Sequence, residues 1–277
     1  MLKIRITVLI YNQNKKVVFF MENEKLKNLF TAARNARDTS DGTTAIKHYE
    51  QISALDPNNW EAIFYLSVLK TNTIKYGEIS NAAIAVQNCL PKVFELIKTT
   101  IDDENTKKKA VKEVVNQCSD TAAWLIRASG EYYNSITQND PSFSVMTTAM
   151  NMDTKRHARY DSAQRMAKIG NIFCVCGNCI ESVFGTVDEF YNRLAVDCWK
   201  AMLISHFEHI KIYKVPVFND ESIQKIARKI QKFDPSYEVP NIKPTEKRDY
   251  AIKGIIITLI AFGIGLLIAW PMIRLYF

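Results

Sequence analysis

Residues 110–125 read AVKEVVNQCSDTAAWL. Within them Ala110, Val111, Val114, Val115, Cys118, Ala122 and Leu125 recur at the i, i+3, i+4, i+7 spacing of a single helical face. A face of that length is stable only when other helices cover it. The same periodicity continues on both sides, and it predicts long helices over about 78–100, 104–137, 142–184 and 187–212. Pro91 predicts a break or kink at Leu90. From Asn23 the apolar positions are Leu26, Leu29, Phe30 and Ala33, then, after the polar residues 37–42, Ala45, Ile46, Tyr49, Ile52 and Leu55. Two antiparallel helices follow from that break. Asp56-Pro57-Asn58-Asn59 ends the second, and Trp60 opens a third with Ile63, Phe64, Leu66 and Leu69. The 277 residues include only nine glycines and eight prolines, while 47% are hydrophobic. Turn-rich all-β folds and a mostly disordered chain are therefore both disfavoured. The expected fold class is all-α.

Ala36, Ala45, Tyr49 and Pro57, followed by LDPNNWEAIFYL at residues 55–66, resemble a tetratricopeptide repeat and the first helix of the next. The resemblance covers about residues 24–70. Leu29 and Ala33 stand where the family usually has Trp and Gly, and no 34-residue period continues beyond Thr71. It implies a helical hairpin and a protein-contact role, but one and a half repeats form little of the family's stacked groove. More broadly, the arrangement resembles bacterial proteins with a short tetratricopeptide-like start, a longer helical middle and an ending like KIQKFDPSYEVP at residues 229–240.

Between Lys253 and Arg274 the sequence GIIITLIAFGIGLLIAWPMI, residues 254–273, holds no charge. As a helix it would span roughly 30 Å, the thickness of a bilayer core. This predicts one C-terminal transmembrane helix, with Tyr250, Trp270 and Tyr276 at the interfaces. The juxtamembrane cations Lys243, Lys247, Arg248 and Lys253 precede it and only Arg274 follows. By the positive-inside rule the bulk of the chain is cytoplasmic, the short C-terminus lies opposite, and the topology is single-pass and tail-anchored. Ala261, Gly265 and Ala269 share one face of the span at intervals of four. That pattern fits a homodimer packed through the span, although small residues are also common in membrane helices generally. At the other end of the chain, within residues 1–20, Ile4, Ile6, Val8 and Ile10 alternate with Lys3, Arg5 and Thr7. Two readings stand for this segment: a β-hairpin, or a spurious extension before a start at Met21.

The cysteines offer the most tempting chemistry. Cys176-Gly-Asn-Cys179 has the gap of a zinc knuckle, and Cys174 extends it to CVCGNC. Cys198, His206 or His209 would have to complete a tetrahedron. Core-type neighbours (Ile172, Phe173, Val175, Ile180, Val183, Phe184) instead favour packing, so no metal is expected there, with Cys174, Cys176, Cys179 and Cys198 as the candidates if one binds. His206 and His209 lack the HExxH spacing and read as half-exposed. Lys107, Lys108 and Lys109 follow Asp102, Asp103 and Glu104, which reads as a solvated helix start rather than a phosphate site. In DESIQKIARKIQKF, residues 220–233, Ile223, Ile226, Ala227, Ile230 and Phe233 line one side and Lys225, Arg228, Lys229 and Lys232 the other. Either the apolar side closes the bundle or the helix lies on anionic lipid.

No GxxxxGK[ST], no GxGxxG after a strand and no GxSxG occurs, so no enzyme activity, catalytic residue or cofactor is expected. The net charge of +7 is peripheral: the segment 1–20 holds four basic and no acidic groups, and the segment 222–253 holds eight basic and four acidic. A nucleic-acid partner is accordingly not expected. The expected organisation is an extension at 1–20, tetratricopeptide-like helices at 21–73, a helical bundle at 74–218, a basic amphipathic helix and juxtamembrane linker at 219–253 and the membrane helix at 254–273. The expected function is a membrane-tethered cytoplasmic adaptor or scaffold that contacts an unidentified protein partner and membrane lipid. The alternative is a thiol-based metal or redox sensor centred on CVCGNC.

Overall fold

Asp41 accepts a hydrogen bond from Thr44 N at 3.1 Å, and Asn59 accepts one from Ala62 N at 3.1 Å, so each side chain starts a helix by satisfying an orphan backbone donor. These caps bound the first elements of a computed structural model that describes residues 24–137, 145–185, 188–213 and 221–239. Among the described residues there are eight α-helices and no strand. The all-α expectation holds for them. The segment 1–20, the cations Lys243, Lys247, Arg248 and Lys253, and the stretch 254–273 with Ala261, Gly265 and Ala269 lie outside them. Among the described residues no helix is long and apolar enough to cross a membrane.

The chain divides into two compact units, with the boundary at Asn72. The first holds α1 (24–38), α2 (Gly42–Leu55) and α3 (Trp60–Leu69). Between α1 and α2 the chain reverses through Ser40, whose φ of 62° is the left-handed conformation usually given to glycine, while Asp41 N returns to Ala36 O at 2.8 Å. Ala33, Ala45, Tyr49 and Ile52 are fully buried, as the close packing of short helices requires. Glu61, buried in the first turn of α3, joins all three helices. It accepts from Arg34 through both Nε (2.9 Å) and Nη2 (2.5 Å) and from the Tyr49 hydroxyl at 2.9 Å. A buried carboxylate is tolerable only with such complete pairing. Tyr49 stacks on Tyr65 at 5.3 Å, and Arg37 covers the Tyr65 ring at 4.4 Å.

The second unit holds α4 (Ile79–Thr100), α5 (Glu104–Thr137), α6 (Val145–Phe184), α7 (Glu189–Tyr213) and α8 (Glu221–Phe233). All seven apolar positions that define the 110–125 face are buried. Of the break or kink expected at Leu90, the break does not occur: α4 runs through Pro91. Pro91 removes one hydrogen bond to the Gln87 carbonyl, but Val86, Leu90, Val93, Phe94 and Ile97 are fully buried on both sides of it and hold the helix together. α6 packs against α4, α5 and α7, and α8 packs on α7. At its C-terminus α6 stops at Gly185, whose φ of +74° reverses the chain, and Lys98 Nζ donates to the Val183 carbonyl at 2.6 Å.

α6 lies close against α7 at Gly177. A Cβ there would lie 2.5 Å from Trp199 Nε1, 2.7 Å from its Cδ1 and 3.0 Å from the Ala195 carbonyl. Trp199 is fully buried and has no room to yield. Gly177→Ala is therefore expected to destabilise by about 1–3 kcal/mol, despite a helix-propensity gain of about 1 kcal/mol. Gly42→Ala, where nothing lies within 4 Å, is expected to be neutral or mildly stabilising. Urea midpoints of the two variants check this contrast.

Candidate functional site

The three cysteines of CVCGNC lie on continuous α6 rather than on a knuckle turn, so Cys176 and Cys179, three residues apart, share a face while Cys174 lies toward the opposite side. Cys174 is half-buried, and Asn178 Nδ2 donates to its sulfur at 3.5 Å. Cys176 is fully buried and makes thiol–thiol contacts with Cys118 of α5 and Cys198 of α7. Cys179 is buried too, close enough to Glu95 of α4 and to Cys118 and Cys176 to interact with each. Among the described residues no group of three or more His, Cys, Asp or Glu side chains is placed to hold a metal ion. The structure thus brings Cys176 and Cys198 together, adds Cys118, places Cys179 near enough to raise both Cys118 and Cys176, and leaves Cys174 apart. Cys118 is legible in the sequence only as a core position in the 110–125 register.

The environment of these thiols decides their chemistry. The contact with Cys118, followed by burial, pushes Cys176 well above the ordinary thiol range, and the contact with Cys176 does the same to Cys198. In Cys118 the bond to Cys176 pulls downward, but burial leaves the net shift upward. Burial raises Cys174 and takes Cys179 to about 11. All five are therefore neutral thiols at neutral pH, and a neutral thiol is a poor nucleophile and a poor metal ligand.

Beside this layer, α6, α7 and α8 meet in a polar seam. Trp199 Nε1 donates to Asn178 Oδ1 at 3.2 Å, and Lys229 Nζ donates to the same oxygen at 2.9 Å and to Glu181 Oε2 at 2.5 Å. Lys229 also lies 4.8 Å from the centre of the Trp199 ring, a cation–π contact. Ile223, Ile226, Ala227 and Ile230 are buried, and Lys200 Nζ reaches Asp234 at 2.9 Å. Of the two readings of this helix, closure of the bundle describes its apolar side. Lys229, expected on the basic face, belongs to the seam.

The two histidines differ from expectation in one respect. His206 is half-buried, but His209 is 4% exposed. The rings meet edge to face at 4.8 Å, and His209 Nδ1 lies 3.2 Å from the Ser205 carbonyl, so Nδ1 carries the proton. Burial, then the neighbouring His206, pushes His209 down to about 4. A cleft of about 300 Å³ beside His206 is lined by Gln87, Asn171, Met202 and Ile223. Its carboxamides are already engaged: Gln87 Nε2 donates to the Lys168 carbonyl at 2.7 Å, and Asn171 Nδ2 donates to Gln87 Oε1 at 2.6 Å. Two of the three clustered lysines on α5 are likewise paired, Lys107 with Glu104 at 3.2 Å and Lys108 with Asp188 at 2.5 Å.

Two outcomes follow. Iodoacetamide at neutral pH is expected to modify Cys89 and Cys174 slowly and to leave Cys118, Cys176 and Cys198 untouched until the chain unfolds, as read by peptide mass spectrometry. For His209 the folded pKa lies below the unfolded value near 6.5, so its stabilising contribution is present at neutral pH and is lost as pH falls toward about 4. The loss amounts to at most about 3 kcal/mol. Asp197, pushed up to about 6 by burial, acts in the opposite sense, losing stability as pH rises from about 4 to about 6. In urea melts from pH 7 to 4, His209→Gln is expected to lose less stability on acidification than wild type.

No known protein family, curated protein or solved structure matches this chain.

Proposed function

We propose that this chain is a membrane-tethered helical adaptor, with residues 254–273 crossing the bilayer once and the helical body on the cytoplasmic side binding a protein partner. The observation that carries the reading is the uncharged run from Gly254 to Ile273, preceded by Lys243, Lys247, Arg248 and Lys253 and followed by Arg274. The body supports a binding role rather than a catalytic one. Its buried Glu61, its Lys229 and its carboxamide pair are each consumed in joining helices, and its thiols are held neutral. The first unit, on its resemblance to a tetratricopeptide repeat, supplies the protein-contact module, and Ala261, Gly265 and Ala269 supply a face for pairing two spans.

The second reading, a thiol-based sensor, draws on the meeting of Cys118, Cys176 and Cys198. Full burial and raised thiol pKa values weigh against it. Zinc content and loss of folded structure on mild oxidation separate the two.

Alkaline carbonate extraction of membranes tests the tether. Wild type is expected in the pellet. Ile264→Arg, near the middle of the run, carries an insertion penalty of about 2.5–3.5 kcal/mol and is expected to shift the chain toward the supernatant. Wild type released as readily as the variant would overturn the reading.

A further inference from the structure

We infer that the outward face of α8 is a docking surface for anionic phospholipid headgroups. The inference rests on the tether proposed above for its proximity to a membrane, but its chemistry is that of α8 alone. The apolar side of α8 is unavailable to lipid, since Ile223, Ile226, Ala227 and Ile230 are buried and Lys229 is engaged in the seam with Asn178 and Glu181. Three cations remain. Lys225, Arg228 and Lys232 are exposed, and none has an ion-pair partner among the described residues. Their spacing of three and four residues aligns them in a strip about 60° wide and roughly 10 Å long. Like charges at these spacings mildly oppose helix formation; exposed Glu221, one turn before Lys225, offsets part of that repulsion and leaves the strip with a net charge of +2 for an external polyanion to meet.

A flat, rigid strip of cations without an exposed apolar wedge matches a charged surface better than it matches the groove-and-anchor recognition of a peptide. Between α8 and the uncharged run the chain holds four cations, Lys243, Lys247, Arg248 and Lys253, and four acids, Asp234, Glu238, Glu246 and Asp249, with the cations gathered toward the run. Near an anionic leaflet each cation strengthens binding about fivefold, so the three together contribute on the order of 10²-fold. That is weak for a free protein. It is ample for a helix whose chain is anchored to the same bilayer.

The test uses the full chain with vesicles or nanodiscs of phosphatidylcholine alone or with about 30% phosphatidylserine, at low salt and at about 0.5 M salt. Acetylation of lysines is read by mass spectrometry. Lys225 and Lys232 are expected to be labelled several-fold more slowly in the serine-lipid discs at low salt, with protection lost at high salt, while exposed Lys92 of α4 is unchanged. Equal labelling of Lys225 and Lys232 in both lipids overturns the docking surface and leaves the tether standing. Flotation separates the other failure. If the chain floats only with serine-containing vesicles and the triple reversal K225E/R228E/K232E abolishes flotation, the strip stands and the tether falls. If it floats with neither lipid, both fall.

Discussion

Because Gly177 presents only hydrogen, the α6 backbone lies against the indole of Trp199, and the second unit is organised around that approach. Trp199 is held there from three directions. Asn178, next to the glycine, takes its N–H; Lys229 of α8 covers its face; and Phe233, at the end of α8, lies 6.5 Å away in a stacked arrangement. Removing hydration from a large aromatic ring is favourable, but its one polar atom needs a partner, and Asn178 is the residue in reach. The same carboxamide oxygen also receives Lys229, so one side chain joins α6, α7 and α8. Three residues of the Cys-Gly-Asn-Cys motif have packing roles here. Its glycine admits Trp199, its asparagine binds it, and Cys176 fills the adjoining core between Cys118 and Cys198.

Both units solve the problem of an interior charge in the same way. Glu61 is buried with two hydrogen-bonded donors, Arg34 and Tyr49, and Arg37 is close by at 3.9 Å. Lys229, less deeply placed, has Glu181, Asn178 and the ring of Trp199. In each case the cost of desolvation is offset by close hydrogen-bonded geometry, and loss of one partner would strand the other. Such pairs specify which helices meet. They leave those residues unavailable for chemistry on a bound molecule.

Much of the fold is legible because helical burial imposes a period on the sequence. The 110–125 face, the α2 positions Ala45, Tyr49 and Ile52, and Ile223, Ile226, Ala227 and Ile230 of α8 are buried where spacing puts them, while Phe233 is half-buried and Leu55, at the end of α2, is exposed. What periodicity cannot encode is which residue faces which across two helices. Cys118 and Cys176 are far apart in the chain, and neither residue type nor register names the neighbour. Lys229 is unreadable for the same reason, since it falls in the basic strip by angle but is drawn sideways by Glu181 on another element. His209 lies deeper than its sequence suggests because a lone histidine carries no sign of its depth, and α4 continues through Pro91 because apolar contacts on both flanks outweigh a local breaking tendency. Local rules fail where tertiary packing outweighs them.

The division of α8 into two faces also bears on how a weak surface contact could matter. On the tethered reading, the segment from Asp234 to Lys253 connects α8 to the span. Holding a chain at the same bilayer turns a second contact with that bilayer into an intramolecular one, which raises its effective concentration. Contacts too weak to bring a free protein to a membrane are then sufficient to orient a protein already there. Seam and strip consequently have to share one rigid helix. Lys229 and the buried isoleucines fix α8 to α7 and α6, so whatever the strip touches orients those helices as well. Were the strip on a loose linker, the same three charges would hold the chain near the bilayer without setting which side of the second unit faces it.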